Sequence, residues 1–240
     1  MVYGYVQGRS LQPTQLADKA AQIGAAVARL HLLTTTALSE RILPIVEHTT
    51  DATTTPPCQH FTTLRSWLNT LPSQVAEFKR ADLELKINWL EARLMARNMP
   101  IVFSHNDLLG PNIILTRDER IFFIDYEYTN YNLRGFDFAN HFCEYAGFEL
   151  DYSRYPPLET RRNAVRGYLT ESKQDVSQVD AVVGEIEECV PLSHLFWGVW
   201  GLVQHGISTI QFDYLSYGRS RLENYERSRR ILMSDEEKAQ

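Results

Sequence analysis

The stretch FSHNDLLGPNIIL, residues Phe103 to Leu115, sets His105, Asn106 and Asp107 side by side and places Asn112 five residues beyond the Asp, directly ahead of an apolar run. The runs IIL and IFFI that follow are short and rich in β-formers, and TRDER between them has the charged, Asp-containing character of a hairpin connection. Ile113 to Asp125 therefore reads as two antiparallel strands. Asn112 stands just before the first strand and Asp125 just after the second, so both fall at the open end of the hairpin. Asp107 lies in the loop feeding that end, and three oxygen-bearing side chains converge.

Around this hairpin the pattern is helical. Thr14 to Leu33 carries Leu16, Ala20, Ile23, Val27, Leu30 and His31 at spacings of three and four, with a start capped by Thr14 after Pro13. Phe61 to Leu71, Gln74 to Asn98, Phe136 to Ala146, Leu158 to Glu171, Val176 to Val190, Pro191 to Gln211 and Tyr214 to Ile231 are expected as further helices. The Thr-rich, Pro-ended run TTDATTTPP from Thr49 to Pro57 is a surface loop. No repeat period is present.

Composition narrows the class. A chain of 240 residues with 44% hydrophobic content can bury a real core. A net charge of −6 argues against a nucleic-acid partner, which needs a basic face. Cys58, Cys143 and Cys189 are far apart with no paired spacing, so neither a zinc site nor a disulfide framework is expected. The N-terminus has no basic-then-apolar leader, and LSHLFWGVWGLV is too short to span a bilayer and contains His194. A cytoplasmic protein with no transmembrane segment is the expectation.

A carboxylate and an amide oxygen facing one point suit a hard cation such as magnesium, and a second carboxylate nearby can take a proton from an attacking hydroxyl. In kinases, a D-x-x-x-x-N catalytic loop followed by a metal-binding Asp after a short hairpin has this order, which Asp107, Asn112 and Asp125 reproduce. Asp and Asn are also ordinary turn formers. With the hairpin taken into account the two readings stand level.

The longer wording goes beyond spacing. SHNDLLGPNIIL followed by FFIDYEYTNYNLRGFDFANHFCEYAG resembles the signature region of the choline and ethanolamine kinases, as do YVQGRSL near the start and SHLFWGVWGLVQHGISTIQFDYLSYGRSRL near the end. The resemblance implies a mainly α fold with a small β-hairpin, similar to the C-terminal lobe of a protein kinase. It implies Asp107 as catalytic base, Asn112 and Asp125 as ligands of Mg2+ on ATP, and Glu144, Trp197, Trp200 and Tyr217 around a small amino alcohol. A cation that carries a hydroxyl rewards carboxylates and aromatic faces; a Trp pair on an apolar helix is otherwise a core feature. His105, His31 and Asp137 are read as loop-supporting or core groups, and Arg134 as a residue of a polar turn.

EYAGFELDYSRYP and STIQFDYLSY look more like ethanolamine kinases, whereas Cys143 in HFCEY is more typical of choline kinases. Ethanolamine is the expected substrate, with choline or both as the alternative. Kinase-like enzymes carry an N-terminal lobe whose Gly-rich loop and strand Lys hold the ATP phosphates. No such run precedes YGYVQGRSL, which resembles the hinge between lobes, with Gly4 and Val6 as backbone partners of adenine. Residues 1–8 are thus expected as a hinge-like segment and residues 9–240 as the helical catalytic lobe, the N-terminal β lobe being absent. A non-catalytic binding or pairing subunit is the competing expectation from another class, and a phosphotransferase acting on an aminoglycoside fits the FWGVWGLVQ region poorly. The resemblance to choline kinases also suggests a homodimer.

Overall fold

A computed structural model describes residues 5–33, 57–147 and 149–239, with the backbone alone at residue 74 and at residues 235–239. The Thr-rich run and Gly4 lie outside the described residues, apart from Pro57. Two compact units divide the chain: residues 1–57 with 100–186, and residues 58–99 with 187–240. Among the described residues no helix is long and apolar enough to cross a membrane.

In the first unit the expected hairpin forms as β3 (Ile113–Thr116) and β4 (Ile121–Phe123), antiparallel with Ile113 opposite Phe123. Two features widen the picture of a lone hairpin. The segment after the hinge-like stretch forms β1 (Gly8–Ser10), which pairs with β3, giving a three-stranded sheet in the order β1-β3-β4. A second sheet joins β2 (Ile101–Ser104) to β5 (Asn130–Leu133), antiparallel with Ser104 opposite Asn130. β2 therefore delivers the chain into the loop holding Asp107, and β5 delivers it into the next helix.

The first expected helix is present with an interruption: α1 (Pro13–Leu16), a 3-10 turn (Ala17–Lys19) and α2 (Ala20–His31). Its start is held by the Gln15 side chain, which accepts from the Gln12 N–H at 3.2 Å, in place of a Thr14 cap. Pro13 occupies the first helical position, where its missing N–H costs nothing, and this moves the cap to Gln12. α2 packs on α6 (Leu158–Glu171) across two glycines. A Cβ on Gly24 would collide with the Ala164 carbonyl oxygen, and one on Gly167 with the Ala21 carbonyl oxygen. The helices meet backbone to backbone, a separation only glycine permits. α5 (Arg134–Cys143) is buried along its whole length apart from Arg134 and is followed by a 3-10 turn at Glu144–Ala146.

The second unit contains α3 (Gln59–Leu68) and α4 (Arg80–Ala96), with the later part of α7 (Val179–Ile207) and all of α8 (Tyr214–Ala239). The expected break before Pro191 does not occur: α7 runs through it. An interior Pro costs about 3 kcal/mol of helix propensity. Burial offsets that here, since Cys189, Leu192 and Leu195 are completely enclosed. Local breaker signals are weaker than an apolar surface of that extent. The helix expected from Gln74 begins instead at Arg80, after a 3-10 turn at Ser73–Val75.

Candidate functional site

The polar groups of the first unit gather where β2 and β4 end and β3 begins. Asn112 closes a 3-10 turn (Gly110–Asn112) and its backbone oxygen accepts from the Ile124 N–H at 3.0 Å, extending the hairpin ladder by one bond. That bond puts Asp125 beside Asn112, as expected at the open end. The Asn112 side-chain amide donates to both the backbone oxygen and Oδ2 of Asp107, each at 3.0 Å. With its nitrogen so engaged, the amide oxygen is the Asn112 atom left for a cation.

The loop itself is suspended from a buried carboxylate. Asp137, on α5 and fully enclosed, accepts from the backbone N–H of His105 at 2.9 Å and of Asn106 at 2.7 Å, and lies 3.0 Å from His31 Nε2. Burial alone would raise its pKa, but these bonds and the nearby His31 and His105 outweigh it and hold the carboxyl below the ordinary range. His105 links the two halves of the site. Its Nε2–H donates to the Ile124 carbonyl at 2.9 Å, and its Nδ1 accepts from the Asp107 N–H at 3.3 Å. That pattern requires a neutral ring, and burial lowers the His105 pKa accordingly.

Asp107 is held in an environment hostile to charge. Burial, then the carboxylates of Glu144 and Asp125, raise its pKa to about 8, opposed by the Asn112 bond. The groups that shift it include three carboxylates, Glu144, Asp125 and Glu127, and no cation. Crowded acids with an amide oxygen form an oxygen donor set that fits a divalent magnesium ion. Among the described residues no group of three His, Cys, Asp or Glu side chains is arranged to hold a metal by itself.

Two backbone positions near these groups are left-handed: Asn106 at φ 69° and Asp125 at φ 66°. Asn106 is locked there by its side chain, which donates to the Tyr128 carbonyl at 2.9 Å and accepts from Asn132 Nδ2 at 3.0 Å. Asn106, Asn132 and Asn140 are all fully buried. Sequence reasoning did not single out this asparagine set; its only signal is short polar residues at the ends of β2 and β5 and inside an apolar helix. Arg134 is accounted for by a bidentate ion pair with Glu185, with contacts at 2.6 and 2.7 Å.

Of the remaining expected residues, Glu144 belongs to the first unit, is half-buried, and lies close enough to Asp107 to act on its titration. Val6 is half-buried two residues before β1. Trp197, Trp200 and Tyr217 come together within the second unit. Trp197 and Trp200 meet edge to face at 5.4 Å, and Trp200 meets Tyr217 at 6.2 Å and Tyr214 at 5.5 Å. Phe212 extends the cluster, 5.7 Å from Tyr217. Phe212 and Tyr214 were not anticipated; both stand in the QFDYLSY wording just ahead of Tyr217.

Comparison with known proteins covers nearly the whole chain. The sequence profile of the choline/ethanolamine kinase family matches residues 1–226. Ethanolamine kinase 2 of Mus musculus is 34% identical over 238 residues, covering 94% of this chain and 58% of its own. Probable choline kinase 2 of Arabidopsis thaliana is 36% identical, covering 73% of this chain and 55% of its own. The chain thus spans little more than half the length of these relatives. Among solved structures, an ethanolamine kinase of Plasmodium vivax superposes with a TM-score of 0.78 at 26% identity, covering 92% of this chain and 63% of that one. A choline kinase of Cryptosporidium parvum has the same fold, with a TM-score of 0.75 at 22% identity over 96% of this chain and 71% of its own. The chain belongs to the choline/ethanolamine kinase family.

Proposed function

We propose that this chain supplies the catalytic lobe of an ATP-dependent kinase that phosphorylates ethanolamine, with choline as the second substrate. The observation that carries the reading is Asp107, half-buried, hydrogen-bonded through Asn112, with its carboxyl pKa pushed up to about 8 by desolvation and by the neighbouring carboxylates. A base poised near the operating pH is what proton removal from a hydroxyl requires. In this reading Asp107 orients the amino-alcohol hydroxyl and accepts its proton as the oxygen bonds to the γ-phosphorus of ATP and ADP departs. Asn112 and Asp125 would hold Mg2+, which when bound neutralises charge on the phosphates. Val6 and Gly4 would meet adenine through their backbone.

Trp197, Trp200 and Tyr217 would face the ammonium with their rings, and Glu144 would supply negative charge. A primary ammonium has three donors and rewards a carboxylate, whereas a quaternary one has none and rewards aromatic enclosure. The aromatic cluster is the observation that favours choline as the second substrate. Phosphoethanolamine formed in this way would enter phospholipid synthesis.

The test is ADP release with ethanolamine and with choline, measured in a chimera that adds a phosphate-covering lobe ahead of residue 1. Asp107→Ala should lower turnover by about 100- to 10,000-fold while the melting temperature stays close to that of the parent. Retained turnover would refute the assignment of the base.

A further inference from the structure

The loop that carries Asp107 is gripped on both sides of that residue from one helix. Asp137, Asn140 and His141 on α5 stand three and four residues apart and share a face. Asp137 accepts from the His105 and Asn106 N–H groups, Asn140 donates to the Asn106 carbonyl at 3.4 Å, and His141 donates from Nδ1 to the Leu108 carbonyl at 2.9 Å. The first two side chains hold the backbone ahead of Asp107, and His141 holds it just behind. Leu108 and His141 are both buried, so bulk water has no access to that last bond.

Among the described residues the bond to Leu108 is the one hydrogen bond of the His141 ring. Its Nε2 is enclosed without a partner, and the ring otherwise meets Tyr145 at 5.4 Å and Phe142 at 5.9 Å. An enclosed nitrogen without a partner costs stability, and an apolar side chain of similar size would carry no such cost. Packing therefore does not account for a histidine at this place, whereas an N–H aimed at a buried carbonyl does. Burial pushes the ring's pKa down to about 4, so it is neutral near pH 7 and its single proton sits on Nδ1.

We propose that His141 is a positioning residue that fixes the aim of the Asp107 carboxylate by anchoring the Leu108 carbonyl behind it, a role that rests on Asp107 being the base. The peptide planes around a residue decide where its Cα–Cβ bond points. The plane ahead of Asp107 is set by His105 Nδ1, which takes the Asp107 N–H, and the plane behind it by Asn112, which donates to the Asp107 carbonyl. The Leu108 carbonyl belongs to the next plane. Released from His141 it would be a buried acceptor without a donor, and its turn toward another donor would be taken up in the dihedrals leading back to Asp107. A base displaced by about 1 Å can cost roughly 100-fold in rate, so a partial loosening is felt.

Two measurements test this in His141→Phe, His141→Asn and His141→Gln. Amide hydrogen exchange at Asp107, Leu108 and Leu109 is followed by NMR in the 240-residue chain. Turnover of ethanolamine is followed in the chimera described for Asp107→Ala. Asn can place an N–H where Nδ1 stood, whereas Gln reaches toward Nε2. His141→Phe should speed exchange and lower kcat, each by about tenfold, with KM within about twofold of the parent. His141→Asn should bring both back to within about threefold of the parent, and His141→Gln should not. A merely structural role would make kcat follow the melting temperature and not the place of the N–H.

Parental kcat in folded His141→Phe would overturn the proposal, as would a fall in kcat with exchange unchanged. If His141→Phe does not fold, the other two variants decide: kcat about fivefold higher with Asn than with Gln supports the proposal, and equal values overturn it. Asp107→Ala separates the two readings. If it retains turnover, the base is wrong and the role of His141 falls with it. If it is inactive while the His141 variants turn over alike, the base stands and only the role of His141 falls.

Discussion

In the first unit α2 and α6, and in the second α7 and α8, meet backbone to backbone across glycines, yet the two crossings support different kinds of surface. Gly24 and Gly167 bring carbonyl groups within reach of each other's Cα, so any side chain would strike backbone. The groups of interest in that unit are polar and hang by hydrogen bonds from Asp137. In the second unit a Cβ on Gly201 would stand 3.0 Å from the Gly218 Cα, a looser approach. There the groups of interest are rings that position one another by contact. A hydrogen-bonded loop is all or nothing, because each buried donor left without a partner carries a full desolvation cost. A packed aromatic surface can give by small amounts.

The sharpest way to break this contrast is Asp137→Ala. It strands two backbone N–H groups and His31 in the interior, and should cost about 3–5 kcal/mol in denaturant unfolding. A loss below about 1 kcal/mol would show that the loop does not depend on the carboxylate. Next come the crossings themselves. Gly24→Ala should destabilise by about 2–3 kcal/mol, because the carbonyl it meets cannot move without shifting a helix. Gly201→Ala should cost about 1 kcal/mol, and equal losses at the two positions would erase the difference between tight and loose crossings.

A further effect is one of pH. His141 donates through Nδ1 to the Leu108 carbonyl at 2.9 Å, and burial pushes its pKa down to about 4. As pH falls from the unfolded value of 6.5 toward 4, the unfolded chain takes up a proton that the folded chain refuses, so stability falls. Asp107 acts in the opposite sense, since its raised pKa makes the folded chain the better proton binder between about 4 and 8. The difference between the wild type and His141→Gln isolates the histidine. The wild type should lose ground to the variant at no more than about 1.4 kcal/mol per pH unit across that window. A difference that does not vary with pH would mean that His141 is charged in the fold.

Much of the first unit was legible in residue order because its chemistry is local. The β3–β4 hairpin needs only IIL, IFFI and a charged turn between them, and it places Asn112 and Asp125 without further information. Helix Leu158–Glu171 was equally plain, its apolar positions spaced for one face. The pairing of β1 with β3 was not legible, because three residues, Gly8 to Ser10, make a strand only through a partner about a hundred positions away. β2 and β5, four residues each, likewise become strands only through each other, about thirty positions apart. The asparagine set around Asn106 stayed hidden because a buried Asn and a turn Asn are spelled alike. Pro191 misled because its local cost is read directly from the sequence, whereas the burial that offsets it is not.

The left-handed backbone at Asp125 bears on how copies of such a gene would drift. A side chain other than glycine in that region costs roughly 1–2 kcal/mol, and among the described residues Asp125 has no side-chain hydrogen bond like those of Asn106 to recover it. Selection for stability alone would favour Gly or Asn at this position. If residue 125 serves a bound metal ion as proposed, a copy relieved of that role should give way there before it loses Asp137, whose carboxylate holds the His105 and Asn106 N–H groups. A chain that keeps a carboxylate here holds a residue that folding by itself does not reward.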